Sequence, residues 1–194
     1  MEIAKPPGGF IFMNRNELAY NFARAAHSSI NQKRKYTGED YIVHPERVVT
    51  ILKQFGVNED EIIQAAFLHD VLEDVTIHNP AYGDKQIEEY FGRKVLNIVR
   101  ELTDEYTPKK YFKLNRAIRK ELEAVRLGCV SIEAIKVKLA DLIDNGADIN
   151  QHDPGFARVY LKEKNRILEQ VEPAVKNAND PILTALFEKA KLTK

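Results

Sequence analysis

An all-helical fold of about eight helices is the architecture this sequence predicts, and two observations carry it. Apolar residues recur at three- and four-residue intervals almost everywhere. In Ile87, Tyr90, Phe91, Val95, Ile98, Val99 and Leu102 they form a stripe that fits one helix face and not the alternation of a strand. Prolines stand where first helical residues are expected, in His44-Pro45, Thr107-Pro108, Asp153-Pro154 and Asp180-Pro181, and three of the four follow a residue suited to capping.

The elements follow in order. Residues 1–15, with Lys5-Pro6-Pro7-Gly8-Gly9, read as a flexible tail, and the first helix is expected over 16–32. The irregular stretch Gln32 to Val43 leads to a helix over 45–55 opened by Pro45. Asn58, with Glu61 three positions later, has the spacing of a capping box for a helix over 58–74. After the irregular stretch Thr76 to Gly83, the apolar stripe predicts a helix over 84–103. Helices over 108–127, 131–149, 154–171 and 181–192 complete the series, three of them started by a proline.

Composition sets the class of partner. The 194 residues, 44% hydrophobic and 30% charged, suffice for one compact core and are short for two, so a single domain over 1–194 is expected. Lys plus Arg equals Asp plus Glu at 29 each, which leaves no net field for nucleic acid or an acidic membrane. Any anionic small molecule must be held locally. Cys129 is the only cysteine, which excludes an internal disulfide and a cysteine-built zinc site. The first 16 residues lack the pattern of a secretory signal. No run approaches the ~20 apolar residues of a membrane span, so the expected compartment is the cytoplasm. Exposed and buried apolar stripes look alike in one sequence, so the oligomeric state is not legible.

The most informative segment is His69-Asp70-Val71-Leu72-Glu73-Asp74, four ionisable groups at the end of the apolar run Ile62-Ile63-Gln64-Ala65-Ala66-Phe67-Leu68. Isolated buried ions cost several kcal/mol or more, so such a cluster calls for charge partners or a metal. Adjacent helical residues point about 100° apart, so His69 and Asp70 reach one ion only at the end or edge of their helix, with other elements completing the set. His44, at a helix start fixed by Pro45, and Asp141, inside Lys138-Leu139-Ala140-Asp141-Leu142-Ile143-Asp144-Asn145, are the candidates. Two imidazoles with two carboxylates suit Mn²⁺, Fe²⁺, Co²⁺ or Zn²⁺ better than Ca²⁺. Glu73 and Asp74 follow His69 and Asp70 by four residues, placed to act on water as general base, proton donor or electrostatic partner. Taken singly, each piece has an ordinary explanation. The His-Asp pair passes as a helix end or surface pair, His44 as an N-cap, and Asp141 as the ion partner of Lys138.

The ordered set Ala26-His27, Arg34-Lys35, Tyr41-Ile42-Val43-His44-Pro45, His69 to Asp74, Leu102-Thr103-Asp104 and Lys138 to Asp141 with Asn145 resembles the HD-domain alarmone hydrolases. The likeness is to the small stand-alone, Mesh1-like branch, related to the hydrolase domain of the Rel/SpoT enzymes, and it covers about residues 17–150. The resemblance implies an HD-type helical fold around a metal site, with Mn²⁺ on His44, His69, Asp70 and Asp141 and water chemistry at Glu73 and Asp74. It implies cleavage of the 3′-pyrophosphate of guanosine tetra- or pentaphosphate to GDP or GTP. It also implies that Arg34 stacks on the base, Lys35 meets phosphate and Asn145 lies near ribose and phosphate, whereas by themselves Lys33-Arg34-Lys35 read as a solvated basic loop and Asn145 as a polar helix residue. Tyr41 lines the nucleoside pocket or packs its own loop, and His27 reads as a supporting residue rather than a ligand.

Further positive charge for a polyphosphate is sought in Lys109, Lys110, Lys113, Arg116 and Arg119. On a helix after Pro108, Lys109, Lys113 and Arg116 share one face, which serves equally as a solvated surface. Tyr160 either touches the nucleotide or packs in the core with Phe156 and Val159. The segment Asp141-Leu142-Ile143-Asp144-Asn145 departs from the Asp-Arg-Leu-His-Asn of the large enzymes, and Gly146-Ala147-Asp148 lacks their threonine. These departures keep open a hydrolase for another nucleotide, such as an adenosine alarmone, NADPH or a deoxynucleoside triphosphate. A third reading is an HD fold that binds a nucleotide without hydrolysis.

Overall fold

The computed structural model describes residues 14–193, and among these it contains nine α-helices and no β-strand. The tail expected over residues 1–15 falls outside the described residues as far as residue 13, and α1 (Arg15–Ser29) already begins at Arg15 under an Asn14 cap that accepts from the Asn16 amide. Its buried face is Ala19, Ala23, Ala26 and His27, a stripe of small residues that lets α1 lie close on α3 (Asp60–Leu68). Between α1 and α2 (Val43–Gln54) the chain makes a tight turn. The Arg34 amide donates to Glu39 O at 2.9 Å, and Gly38 takes a positive φ of 71°. Helix α2 starts two residues before Pro45, which stands third in the helix. The absent amide hydrogen is harmless there, because first-turn donors have no intrahelical partner.

Two of the expected helices are divided. The helix expected over 58–74 stops at Leu68, and Val71–Val75 instead forms one π-helical turn closed by the Thr76 amide on Val71 O at 3.1 Å. The wider turn rotates Glu73 and Asp74 away from the register a continuous α-helix would impose. The capping box at its start does not form. Asn58 donates to Gly56 O, and Glu59 is the N-cap without a side-chain bond. The stretch over 84–103 is two helices, α4 (Asp84–Phe91) and α5 (Arg93–Leu102), hinged at Gly92 with φ 88° and ψ 167°. The expected stripe is buried on both helices except for Tyr90, which is exposed.

Helix α6 (Arg116–Leu127) starts eight residues after Pro108, because the Asn115 side chain accepts from the Ile118 amide and sets the N-terminus there. Residues 107–114 are turns, so Lys109, Lys110 and Lys113 do not share a helix face with Arg116. Helix α7 (Ile132–His152) is capped by Ser131, and α8 (Pro154–Ala178) by Asp153 with Pro154 at its first position. Helix α8 runs through Pro173 well past the expected end at 171, since Val171 and Val175 are both buried in the core. Helix α9 (Pro181–Leu192) follows the Asp180 cap as expected.

Helix α7 is the axis of the assembly. It packs against α2, α3, α5, α8 and α9, and it is buried on most sides between Ala134 and Asp148. One continuous core joins α1 to α5 with α7, α8 and α9. No helix among the described residues is long and apolar enough to cross a membrane.

The hinge at Gly92 lies in a backbone region that L-residues occupy only at a cost of about 1–3 kcal/mol, and a Cβ added there meets nothing within 4 Å. Gly92→Ala is therefore expected to destabilise the fold by about that amount through backbone strain alone. Urea denaturation checks this; an unchanged midpoint would mean that α4 and α5 can rejoin.

Candidate metal centre

Three mutually packed helices, α2, α3 and α7, deliver the chemistry-bearing side chains to one point. His44 comes from the first turn of α2, His69 and Asp70 from the end of α3, and Asp141 from the middle of α7. Donor atoms of His44, His69 and Asp70 all lie within 4.8 Å of one another. Asp141 Oδ1 is 3.1 Å from His44 Nε2 and 3.9 Å from His69 Nε2. The four residues expected as ligands are thus brought together.

The two imidazoles are oriented from behind. His69 Nδ1 donates to Ala66 O at 2.8 Å; a carbonyl only accepts, so Nδ1 carries the proton and Nε2 presents its lone pair. That Nε2 is buried and has no hydrogen-bond partner among the described residues, though Asp70 Oδ2 stands 3.0 Å away. A buried lone pair left unpaired is costly, and a cation between the four groups satisfies it. The residues present therefore fit a divalent metal. His44 Nδ1 lies 2.7 Å from Asp144 Oδ2, which leaves its Nε2 for the centre.

The carboxylates are held as firmly. Tyr41 donates its hydroxyl to Asp70 Oδ2 at 2.7 Å, and Asn145 donates to Asp141 Oδ1 at 2.5 Å. Lys138 Nζ is 2.9 Å from Asp141 Oδ2. Burial raises both carboxyls, but His69 beside Asp70 and Lys138 beside Asp141 more than reverse this and hold both below the usual carboxylate range. Burial lowers the His44 imidazole, yet its bonds to Asp141 and Asp144 bring it up to about 9. The centre thus gathers two ionised carboxylates and two imidazoles in one buried place.

Glu73 and Asp74 sit in the π-helical turn beside this nest. Burial, with Asp104 and Asp70 nearby, pushes Glu73 up to about 7, and burial with Asp70 pushes Asp74 up to about 6. Glu73 Oε2 accepts from the Asp104 amide at 3.0 Å, and Asp104 in turn meets Lys120 Nζ at 2.6 Å. Asp74 Oδ2 accepts from Gln32 Nε2 at 2.7 Å, while Gln32 Oε1 faces His27 Nδ1 at 2.7 Å. Such shifted carboxyls next to a cation site are suited to proton exchange with water.

A cavity of about 300 Å³ opens against the centre, its walls including Arg34, Lys35, Tyr36, Tyr41, Asn145 and Ile149. Tyr41 and Asn145 belong to both cavity and centre through their bonds to Asp70 and Asp141. Arg34 is buried, with one edge of its guanidinium on Asp148 at 2.6 Å and its carbon 5.9 Å from the Tyr41 ring. Lys35 is largely exposed and lies 3.6 Å from Asp153, with its ammonium over the Tyr36 ring.

The other expected contacts are placed elsewhere. Arg116 makes a two-point ion pair with Glu163, and Lys113 stands exposed in the preceding turn against Phe112. Tyr160 hydrogen-bonds Leu142 O at 3.4 Å and packs against the core, although Val159 beside it is exposed.

Two supports escape inspection of the sequence. Gln32 reaches Asp74 across 42 positions and Asp144 reaches His44 across 100, with no local pattern to announce either bond.

Comparison with known proteins agrees with this architecture. A family model described as HD domain matches residues 19–167. The guanosine-3′,5′-bis(diphosphate) 3′-pyrophosphohydrolase MESH1 of Xenopus tropicalis is 34% identical over 164 residues, covering 83% of this chain and 84% of its own. The human MESH1 is 32% identical over 181 residues, covering 90% and 94% respectively. A solved structure of a metazoan ortholog of SpoT superposes with a TM-score of 0.68 over 96% of both chains at 24% identity, a likeness of fold. The chain therefore belongs to the HD domain family, within its MESH1-like branch.

Proposed function

We propose that the whole chain works as one metal-dependent hydrolase domain that removes the 3′-pyrophosphate of guanosine 3′,5′-bis(diphosphate), leaving GDP, with Mn²⁺ on His44, His69, Asp70 and Asp141. The observation that carries the reading is the convergence of those four side chains around a buried His69 Nε2 with no hydrogen-bond partner among the described residues, flanked by Glu73 and Asp74. The pyrophosphohydrolase activity named for the MESH1 relatives, which this chain matches over most of their length, supports the substrate.

Hydrolysis of the 3′ P–O bond requires one proton to leave the attacking water and one to reach the departing 3′ oxygen. Glu73 and Asp74, with carboxyls raised towards neutrality, are the groups to take and give them. When bound, a divalent cation neutralises phosphoryl charge and lowers the pKa of water. The protein's own part is positioning: Tyr41 holds Asp70, Gln32 holds Asp74, and the Asp104 amide holds Glu73. The nucleoside lies in the cavity, where the face of Arg34 meets the base, and Lys35 and Asn145 meet the phosphate and ribose.

One observation favours a second reading. Arg34 is committed to Asp148 and Arg116 to Glu163, so Lys35 is the exposed cation of the arginine and lysine pair on the cavity wall. A nucleotide bearing less charge than a bis(diphosphate), such as one with a single terminal phosphate, fits that balance.

Purified protein with Mn²⁺ is expected to release pyrophosphate and GDP from guanosine tetraphosphate, and EDTA should abolish this. In a panel with product identification, orthophosphate from NADPH in preference would select the second reading. Asp141→Ala should lose most bound metal, measured by atomic emission, along with turnover; full activity in that variant would remove Asp141 from the ligand set. Glu73→Gln and Asp74→Asn should each lower kcat by about 10²- to 10⁴-fold with metal content retained. Loss of metal in either would turn that residue into a ligand instead.

A further inference from the structure

Asp144 is buried on α7, three residues after Asp141, and has no place among the ligands or the water-handling pair. A buried carboxylate needs partners, and Asp144 has two. Its Oδ2 is 2.7 Å from His44 Nδ1 and 3.7 Å from the Arg34 guanidinium. Arg34 is itself buried and fixed by Asp148 at 2.6 Å, so it cannot swing away from Asp144 without giving up that bond. The three groups form a line, Arg34 to Asp144 to His44, ending at His44 Nε2, 3.1 Å from Asp141 Oδ1.

An imidazole can present a lone pair from either nitrogen, and the hydrogen bond on one decides which is free for the other partner. An anionic acceptor on Nδ1 keeps the proton there, leaves Nε2 to the centre and makes Nε2 a better donor to a cation. Arg34, 3.7 Å from its Oδ2, holds Asp144 in place for that task. The same argument does not apply to His69, whose Nδ1 is served by the neutral Ala66 carbonyl. The two histidines are supported unequally.

We propose that Asp144, anchored by Arg34, is a positioning residue that orients His44 and thereby sets the metal affinity of the centre. The inference rests on the metal reading of His44, but it does not require any particular nucleotide to be the substrate. It gives Arg34 a second duty, through its edge, besides the one its face serves in the cavity.

The test is Mn²⁺ affinity of the full chain, measured by isothermal titration calorimetry without nucleotide, for the wild type, Asp144→Ala, Asp144→Asn and Arg34→Gln, each checked for folding by circular dichroism. Asp144→Ala is expected to weaken binding by roughly 10- to 100-fold. Asp144→Asn, which keeps a neutral acceptor, and Arg34→Gln should fall in between. Arg34→Gln should add little in the Asp144→Ala background, because it acts through Asp144. Lys136→Met serves as a control. It removes a buried lysine paired with Asp180 at 2.8 Å, and should lower stability without changing metal affinity. If Asp144→Ala does not fold, the Asn and Gln variants decide.

Mn²⁺ affinity within about threefold of wild type in Asp144→Asn and Arg34→Gln, or a wild type that binds no divalent metal, overturns the proposal; the threshold is set well below the weakening expected of an outer partner. Failure of the guanosine reading would appear instead as tight, Asp144-dependent metal binding with no release of pyrophosphate.

Discussion

The buried carboxylate of Asp141 governs how the surrounding helices come together. It sits midway along α7, the helix against which α2, α3, α5, α8 and α9 pack, and it is nearly inaccessible to solvent. An unpaired charge there costs several kcal/mol, enough to consume much of the stability of a domain. Lys138 one turn earlier, Asn145 one turn later and His44 from α2 share the compensation. Because His44 belongs to another helix, neutralising Asp141 also fixes how α2 lies on α7. Packing and the assembly of the centre are in this sense one event.

Around that point, each group of the centre is held by a partner from outside the cluster. Ala66 O takes His69, Asp144 takes His44, Tyr41 takes Asp70, Gln32 takes Asp74 and the Asp104 amide takes Glu73. These bonds lock rotamers and tautomers before any cation or nucleotide arrives, so little reorganisation is left for the reaction itself. The π-helical turn over Val71–Val75 contributes by releasing Glu73 and Asp74 from the register of α3. With it, the two carboxyls lie beside the cluster of His44, His69, Asp70 and Asp141.

The chain's balance of charge, equal in Lys plus Arg and Asp plus Glu, is repeated at the mouth of the cavity. Asp40, Asp148 and Asp153 occupy Lys33, Arg34 and Lys35, so the basic residues there are not a free positive field. Attraction of a polyphosphate must come from short-range contacts and from the metal rather than from long-range steering.

The features legible in the amino-acid sequence are local ones. Helical period, the caps Ser131, Asp153 and Asp180, and the chemistry of His44, His69, Asp70, Asp141, Glu73 and Asp74 are written in residue type and in spacings of three or four. Where local signals competed, the outcome was hidden. Asn115 outweighed Pro108 as the start of α6, Gly92 divided an unbroken apolar stripe, and the capping box at Asn58 yielded to other bonds. The long-range partners came from the packing of the helices: Asp144 for His44, Gln32 for Asp74, and Asp148 for Arg34, the last across 114 positions. The reason is physical. A local pattern constrains groups that one helix turn brings together, whereas the partner of a buried charge is whatever the packing of separate helices puts within three ångströms of it.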